Sequence, residues 1–291
     1  MLNSEILFLY DAKFTNPNGD PDEENRPRMD YEREINLVSD LRLKRYLRDY
    51  MLQEGMDIFV TRVDDVPVTA DQRIKKLKDS SEDWILNNWP DVRMFGATMT
   101  VKDGPRTYIG PVQFNWGYSL NKVELLEASI TSHFSSSERA TQGTIGKDYR
   151  VKYSLIAFSG IISGKRATKT RLKEEDIVFL DKAMKNAIPS LATRSKIGQY
   201  PRLYLRVEYK NDETVLGDFR DYIELVEKNP SIRDISECSI EIRRLLDLLK
   251  SNKDKINKIA YFIDKNLDLT LDGNKVSLEE ELSSFNLELI K

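Results

Sequence analysis

The chain has 291 residues, of which 32% are charged, and a mean hydropathy of −0.52. This composition is typical of a water-soluble protein that can bury a sizeable core, and no segment approaches the roughly 18 consecutive apolar residues of a membrane span. A single cysteine and a single histidine exclude an internal disulfide, a cysteine-based zinc cluster and a two-histidine metal site. The first residues lack a basic cluster and carry Glu5 and Asp11, so we expect no signal peptide and a reducing, cytoplasmic location.

The first predicted elements are a strand, an irregular loop and a helix. Residues 5–14 (EILFLYDAKF) are apolar and aromatic, which is typical of a central strand. Residues 16–30 (NPNGDPDEENRPRMD) contain three prolines, which remove backbone donors, so they form neither a helix nor a central strand. A helix is predicted over residues 40–53, with Ser39 as its N-cap and Gly55 just after its end.

This predicted helix has an apolar face and a basic face. The apolar face consists of Leu43, Tyr46, Leu47, Tyr50 and Met51. The basic stripe consists of Arg42, Lys44, Arg45 and Arg48. We expect the apolar face to pack on a sheet and the stripe to lie on the other side of the helix. The stripe is then either a solvated face or a contact surface for a polyanion.

Residues 57–63 (DIFVTRV) predict a second strand, and a long mixed segment follows over residues 64–149. Within that segment, residues 106–120 (RTYIGPVQFNWGYSL) favour an extended element. Residues 132–148 are rich in Ser, Thr and Gly, which predicts a loop or an exposed hairpin.

The second half repeats the strand, helix and strand order. Residues 150–163 and 202–209 predict strands, and residues 173–188 predict an amphipathic helix with acidic residues in its first turn. Two such units around a large insertion predict an α+β fold of the ferredoxin-like or RNA-recognition-motif (RRM) type. The tail adds a helix at residues 240–250 and a hairpin turn at residues 272–273.

The net charge of −3 conceals an uneven distribution. Residues 1–210 carry 33 basic and 30 acidic side chains, whereas residues 211–291 carry 12 and 18. Residues 147–173 hold eight basic residues against one acidic residue, and residues 193–210 hold five against one. A polyanion responds to such local potential, although solvated surface faces show the same pattern.

The proline-rich loop also carries clustered carboxylates. Asp20, Asp22 and Glu24 alternate like the start of a calcium loop, but Asn25 stands where that loop requires glycine. The carboxylates could instead hold magnesium for phosphodiester cleavage. The arginines between them can pair with them, however, and an ordered loop crossed by salt bridges is the simpler interpretation.

Several segments together resemble one known family. In chain order they are NPNGDPDEENRPRMD, LVSDLRLKRYLRDYM, RMFGATM with GPVQFNWGYSL, and QGTIGKDYRVKYSLIAFSGIIS. They resemble the backbone subunit of type I CRISPR Cascade complexes, the Cas-seven family of the RAMP superfamily, most closely its type I-B and I-C branches. The match runs to about Tyr209, and no motif places the tail.

The resemblance implies a modified RRM palm with a large helical finger insertion and a protruding thumb hairpin. The implied boundaries are residues 1–63 and 150–210 for the palm, 64–149 for the finger and thumb, and 211–291 for an acidic C-terminal extension. It further implies a cytoplasmic subunit without cofactor, metal or catalytic residues. Its implied partners are CRISPR RNA, other copies of itself, other Cascade subunits and, through the guide alone, target DNA.

The resemblance and the residue chemistry together indicate which side chains contact RNA. The candidates in the loop are Asn16, Asn18, Asn25, Arg26 and Arg28. The others are the basic stripe, with Arg194 and Lys196 before the last palm strand. Phe134, Thr144 and Ile145 are candidate thumb residues that wedge between bases. The alternative is a metal-dependent RAMP-type ribonuclease using Asp20, Asp22 or Asp30, because type III relatives cut RNA with an aspartate of the equivalent loop.

Overall fold

The computed structural model describes residues 1–63, 66–101, 104–131 and 145–291. Within them, the strands are β1 Ser4–Thr15, β2 Gly19–Asp20, β3 Arg26–Pro27, β4 Met29–Asp30, β5 Ile35–Val38, β6 Gly96–Val101, β7 Gly104–Ile109, β8 Val112–Phe114, β9 Gly117–Ser119, β10 Leu125–Thr131, β11 Ile145–Ile162, β12 Gln199–Tyr209, β13 Glu224–Glu227, β14 Cys238–Glu241, β15 Ile256–Ile263, β16 Leu269–Leu271, β17 Asn274–Val276 and β18 Leu287–Leu289. The helices are α1 Asp40–Gln53, α2 Ala70–Lys75, α3 Glu82–Asn88, α4 Pro90–Phe95, α5 Gly164–Thr170, α6 Glu174–Ser190, α7 Arg243–Ser251 and α8 Leu278–Glu281. None of the helices in these ranges is both long and apolar enough to cross a membrane.

The central sheet is built around β1. Its strand order is β18-β15-β12-β1-β11-β9-β5-β4, and β8 and β10 also pair with β11. Strand β1 runs antiparallel to both of its neighbours, with Phe8 opposite Phe158 of β11 and Tyr204 of β12. The predicted central strand is therefore confirmed, and so are the second-half strands β11 and β12 with the helix α6 between them.

Apolar side chains cover both faces of this sheet, because successive residues of a strand point to opposite sides. Phe8 and Tyr10 of β1 pack on one side with α1 and α6. Leu7 and Leu9 pack on the other side with α7 and neighbouring segments of the tail. The sheet therefore lies between two layers, and the tail supplies one of them.

Helix α1 matches its prediction in both ends and apolar face. The Ser39 side chain accepts a hydrogen bond from the backbone N–H of Arg42, and such a cap contributes about 1 kcal/mol. The five predicted apolar residues are all buried. Gly55 adopts a φ of +79° after the last turn, a conformation that favours glycine.

The predicted strand at residues 57–63 is wrong. The backbone N–H groups of Phe59 and Val60 donate to the carboxylate of Asp91, at 2.8 and 3.1 Å, instead of to a neighbouring strand. Val63 pairs only with Val66, in an isolated bridge. A side chain 32 residues away thus takes the hydrogen bonds that a strand would give to a sheet.

A smaller unit with its own core follows this segment. It combines α2, α3 and α4 with the hairpin of β6 and β7. The centre of its core is Trp89, which is fully buried between Phe59 and Trp84. The extended element predicted at residues 106–120 is confirmed as parts of β7, β8 and β9.

Strand β10 forms an antiparallel pair with the first half of β11, from Leu125 opposite Val151 to Thr131 opposite Ile145. The intervening residues 132–144, with the wedge candidates Phe134 and Thr144, lie outside the described residues. Ile145 opens β11, but its side chain is also outside the description. The thumb therefore stays a prediction.

The tail folds against the sheet around a four-stranded sheet of order β13-β14-β16-β17. The predicted hairpin is confirmed, because Asp272 and Gly273 join β16 to β17 with φ values of +51° and +79°. The predicted helix at residues 240–250 begins only at Arg243, since Cys238–Glu241 pairs as β14 between β13 and β16.

Candidate nucleic-acid interface

The proline-rich loop is an ordered structure that folds back on itself. A short pairing of Gly19–Asp20 with Arg26–Pro27 encloses a single 3₁₀ turn. Glu24 and Asn25 take φ values of +51° and +62°, which lets the chain reverse. The loop was correctly predicted to be neither a helix nor a central strand.

Two of the asparagines predicted to contact RNA are buried and hold the loop together. Asn18 accepts hydrogen bonds from the backbone N–H and the hydroxyl of Ser39, at 2.8 and 3.0 Å, and so ties the loop to the start of α1. Asn16 donates to the carbonyl of Asn25 at 2.7 Å. Its own carbonyl oxygen, Oδ1, is buried and finds no donor among the described residues.

The loop arginines are paired within the protein. Arg28 forms an ion pair with Asp20 at 2.7 Å. The Arg26 guanidinium lies 4.5 Å from the ring centre of Tyr149 and donates to its hydroxyl. That hydroxyl donates to Glu24, and this hydrogen bond lowers the pKa of the Glu24 carboxyl. Both arginines keep a partly exposed side chain.

Two of the three carboxylates of the ribonuclease alternative are also engaged locally. Asp20 accepts from the N–H of Asp22 at 3.2 Å, in addition to its pair with Arg28. Asp30 accepts from the N–H groups of Glu32 and Arg33. Across residues 1–63, 66–101, 104–131 and 145–291, no three His, Cys, Asp or Glu side chains are grouped so that they could hold a metal ion.

The basic stripe of α1 was predicted to lie opposite the apolar face, and this is wrong for two of its members. Lys44 is only 6% exposed and donates to Asp40 and Gln113. Arg48 is 9% exposed and pairs at 3.1 Å with Asp91, which is fully buried. Asp91 and Gln113, which come later in the chain, cover a second side of the helix. The stripe is therefore divided into two buried and two partly exposed residues.

The remaining two stripe residues differ from each other. Arg45 is partly exposed and pairs with Asp49 one turn later. Arg42 lies with its guanidinium 4.0 Å from the ring centre of Tyr46. The Nε and Nη2 atoms of Arg42 are buried, and neither meets a hydrogen-bond acceptor in the part of the chain that the structure describes. Arg42 as a whole is partly exposed, and leaving two buried donor atoms without acceptors is costly.

Lys196 lies close to Arg42. Its amine donates to the backbone carbonyls of Asn16 and Pro17. Burial and the positive charge of Arg42 lower the pKa of Lys196 to about 7. Arg194 instead points outward, 63% exposed, with Asp148 at 3.3 Å as its ion-pair partner.

The count of five basic residues at 193–210 overstates the surface charge. Arg202 pairs with Asp11 at 2.8 Å, and Arg206 pairs with Asp181 at 2.6 Å. Both arginines are buried in the sheet, where they neutralise buried carboxylates. Arg194, Lys196 and Lys210 are therefore the cations of this stretch that are not buried in the sheet, and of these Lys196 lies near Arg42.

Sequence analysis missed the aromatic and amide groups beneath this corner. The Tyr46 hydroxyl donates to Gln199 at 2.9 Å, and Gln199 donates to Thr15. The Tyr10 hydroxyl is buried without a partner among the residues described, and burial raises its pKa, which the neighbouring Tyr46 raises further. Tyr10 and Tyr46 were interpreted as apolar positions of β1 and α1, and that pattern gives no sign of the polar groups that they place beneath the corner. We call Asn16, Arg42, Tyr46 and Lys196 the loop–helix corner.

Two sequence comparisons with known proteins agree on one family. The family model described as CRISPR-associated protein Cas7 matches residues 2–243. A CRISPR-associated protein Cas7 of Haloferax volcanii is 34% identical over 313 aligned positions, covering 95% of this chain and 91% of the relative. In fold, the chain is similar to a chain of a structure titled CRISPR RNA-guided surveillance complex, pre-nicking, with a TM-score of 0.57, 14% identity and coverage of 97% and 98%. A second structure, titled CRISPR RNA-guided surveillance complex, gives a TM-score of 0.54, 11% identity and 91% coverage of both chains.

Proposed function

Because the chain belongs to the CRISPR-associated Cas7 family, we propose that it is a backbone subunit of an RNA-guided surveillance complex of the type I kind. In this proposal it binds CRISPR RNA along the sugar-phosphate chain and holds it open for pairing with target DNA. It does so with other copies of itself and with other subunits of the complex.

The proposed palm is a ferredoxin-like sheet with a revised second strand. Strands β12, β1, β11 and β8 lie in that order, each antiparallel to its neighbour. Helix α1 follows the first of these strands in the chain, and α6 follows the third. This matches the ferredoxin-like plan when β8 takes the place that was predicted for residues 57–63. Residues 64–149 then supply the proposed finger and thumb, except for β8 and β9, and residues 211–291 form the C-terminal extension.

The loop–helix corner is the observation that carries the RNA-binding proposal. Arg42 presents two buried donor atoms without acceptors in the described ranges, and the Lys196 amine lies beside it. A phosphate group supplies the acceptor oxygens that the two Arg42 atoms lack, and a negative charge opposite both cations. Contacts of this kind do not depend on base sequence, as a subunit that must hold any guide requires.

The experiment compares RNA affinity over a salt series for wild type, Arg42→Gln and a control, Lys250→Gln. Lys250 is a partly exposed cation of α7 whose partner is Glu281, so the control removes one charge far from the corner along the chain. Each phosphate contact that is lost should lower the salt slope of log K by about 0.7 for a single strand. We expect this decrease for Arg42→Gln on unrelated RNA sequences and no decrease for the control. Equal slopes for all three proteins, with unchanged melting temperatures, would remove the corner from the RNA path.

Assembly along the RNA is a separate part of the proposal. Residues 1–210 carry a small excess of basic side chains, and residues 211–291 carry 18 acidic against 12 basic side chains. This opposite charge of the two parts suits a head-to-tail contact between copies. Light scattering at several concentrations should show oligomers that grow when RNA is added. A monomer at every concentration, with RNA bound, would contradict this part alone.

Catalysis is not part of the proposal. Asp20 and Asp30 of the alternative ribonuclease site have local hydrogen-bond donors, and Asp20 is neutralised by Arg28. Incubation of labelled RNA with the protein and magnesium or manganese distinguishes the two functions, because specific cuts would support the ribonuclease.

A further inference from the structure

A small cavity of about 170 Å³ lies beside the proline-rich loop, away from the residues that form the corner. Its apolar lining includes Pro27, Met29, Leu37, Tyr31 and Trp116. Pockets for drug-sized ligands measure roughly 300–1,000 Å³, so this cavity takes a single ring system or a single side chain. Its two aromatic side chains are 63% exposed for Tyr31 and 44% exposed for Trp116.

The polar lining of the cavity disfavours a phosphate. It contains two carboxylates, Asp20 and Glu23, and two guanidiniums, Arg26 and Arg28. Asp20 and Arg28 already neutralise each other at 2.7 Å. A phosphate would meet the carboxylates, whereas a neutral ring that carries both donors and acceptors can use both kinds of side chain.

The exposed indole of Trp116 is attached to a fixed backbone. Its carbonyl accepts a hydrogen bond from Arg220 at 2.8 Å. At the next residue, Gly117, an added Cβ would lie 2.4 Å from the Phe158 ring, so the backbone there is pressed against the core. An exposed aromatic ring on a fixed backbone is a suitable platform for stacking a base.

The cavity is connected to the loop–helix corner through the loop itself. The backbone carbonyl of Asn18 accepts a hydrogen bond from the N–H of Arg28, which lines the cavity. The side chain of Asn18 accepts a hydrogen bond from the N–H of Ser39, the N-cap of α1. Arg42 lies in the first turn of that helix. The cavity and Arg42 are therefore joined by one hydrogen-bonded segment of the chain, the loop from Asn18 to Arg28 with the first turn of α1.

From this geometry we propose that the cavity binds one nucleobase of the RNA strand, stacked on Trp116 and hydrogen-bonded at its edge by the arginine and carboxylate side chains. The inference rests on the proposed RNA-binding function and adds to it a contact with a base. A second copy of this chain, with an aromatic or aliphatic side chain, is the competing occupant, but the paired charges around so small a cavity match the edge of a base better.

The test compares a normal RNA strand with an abasic strand of the same length, which has ribose and phosphate but no bases. Fluorescence anisotropy gives both affinities for wild type, Trp116→Leu and a control, Tyr200→Leu, which removes another half-exposed aromatic residue outside the cavity. Stacking on one aromatic side chain changes affinity by about tenfold or more. We expect Trp116→Leu to bind the normal strand about tenfold more weakly than wild type does, and the abasic strand with the same affinity as wild type. The control should bind like wild type.

A direct readout uses 2-aminopurine placed at successive positions of the strand. One position should show quenched 2-aminopurine fluorescence with wild type and recovered fluorescence with Trp116→Leu. An equal loss of affinity on both strands, or no loss on either, overturns the base site while RNA binding stands. A change of Trp116 fluorescence on self-association without RNA assigns the cavity to a second copy and also overturns it. Failure of wild type to bind either strand overturns the proposed function and this site together.

Discussion

Replacing Arg48 with Ala should destabilise the protein far more than replacing Arg45 with Ala, although both arginines belong to the same basic stripe of α1. Arg48 is 9% exposed and pairs at 3.1 Å with Asp91, which is fully buried. Without Arg48, the donors that remain to the Asp91 carboxylate among the described residues are the N–H groups of Phe59 and Val60. Removing one partner of a buried ion pair typically costs about 3–5 kcal/mol.

Arg45 is the matched control because it loses a similar side chain from the same helix. Its partner Asp49 lies one turn away on the same partly exposed surface. Such pairs contribute about 0.3–0.5 kcal/mol, and alanine is at least as good a helix former as arginine. Arg45 also donates to the backbone carbonyl of Val60 at 3.1 Å in an exposed hydrogen bond. Both variants lose one charge and one contact to this segment, so the difference between them chiefly reports the burial of the Arg48–Asp91 pair.

Urea unfolding followed by tryptophan fluorescence and by circular dichroism measures both variants. Trp89 reports on the unit that contains Asp91, and circular dichroism reports on the whole chain. Arg48→Ala should also lower the melting temperature by roughly 5–15 °C. If the free energy of unfolding falls by less than about 1 kcal/mol in both variants, Arg48 is solvated, and the burial of the α1 side that carries Arg48 is refuted.

Three further outcomes are expected. In the free protein the pKa of Lys196 is about 7, and a bound phosphate favours the charged amine, so binding takes up a proton. RNA affinity should therefore rise as the pH falls from about 8.5 to 6.5. Fluorescence anisotropy should show this dependence in wild type and not in Lys196→Met. Hydrogen bonds from Lys152 and Arg233 lower the pKa of Glu124 to about 2. The ionised Glu124 therefore stabilises the folded protein fully above its unfolded-state pKa of about 4.3, and this stabilisation is lost as the pH falls towards 2. The difference in melting temperature between wild type and Glu124→Gln should close over that range, and a constant difference would contradict the assignment. The Asp20→Asn, Asp22→Asn double variant and wild type should leave labelled RNA equally intact with magnesium or manganese, and cuts made by wild type alone would favour the ribonuclease.

The elements that sequence predicts well are those fixed by neighbouring residues. The cap at Ser39 and the apolar spacing of α1 are local, and they predicted both ends of that helix. The turn at Asp272 and Gly273 was predicted from two residues, because their backbone conformation alone sets the hairpin type.

The predictions that failed depend on contacts distant in sequence. A helical wheel predicts the angle of Lys44 and Arg48, but it does not predict that later residues cover a second side of α1. The backbone of residues 57–63 forms no strand, because Asp91 accepts its hydrogen bonds. The meeting of Arg42 with Lys196 requires the pairing of β1 with β12, which no local pattern specifies.

The tail is named an extension from its position in the sequence, yet it completes the core of the sheet. Leu7 and Leu9 of the first strand pack with Cys238 and Leu246, more than 200 residues later, in one apolar cluster. A fragment that stops at residue 210 would expose that whole face of the sheet to water and would be expected to aggregate. The chain therefore cannot be divided at that point into two independently folding pieces, and this core is complete only when the segments of the tail are in place.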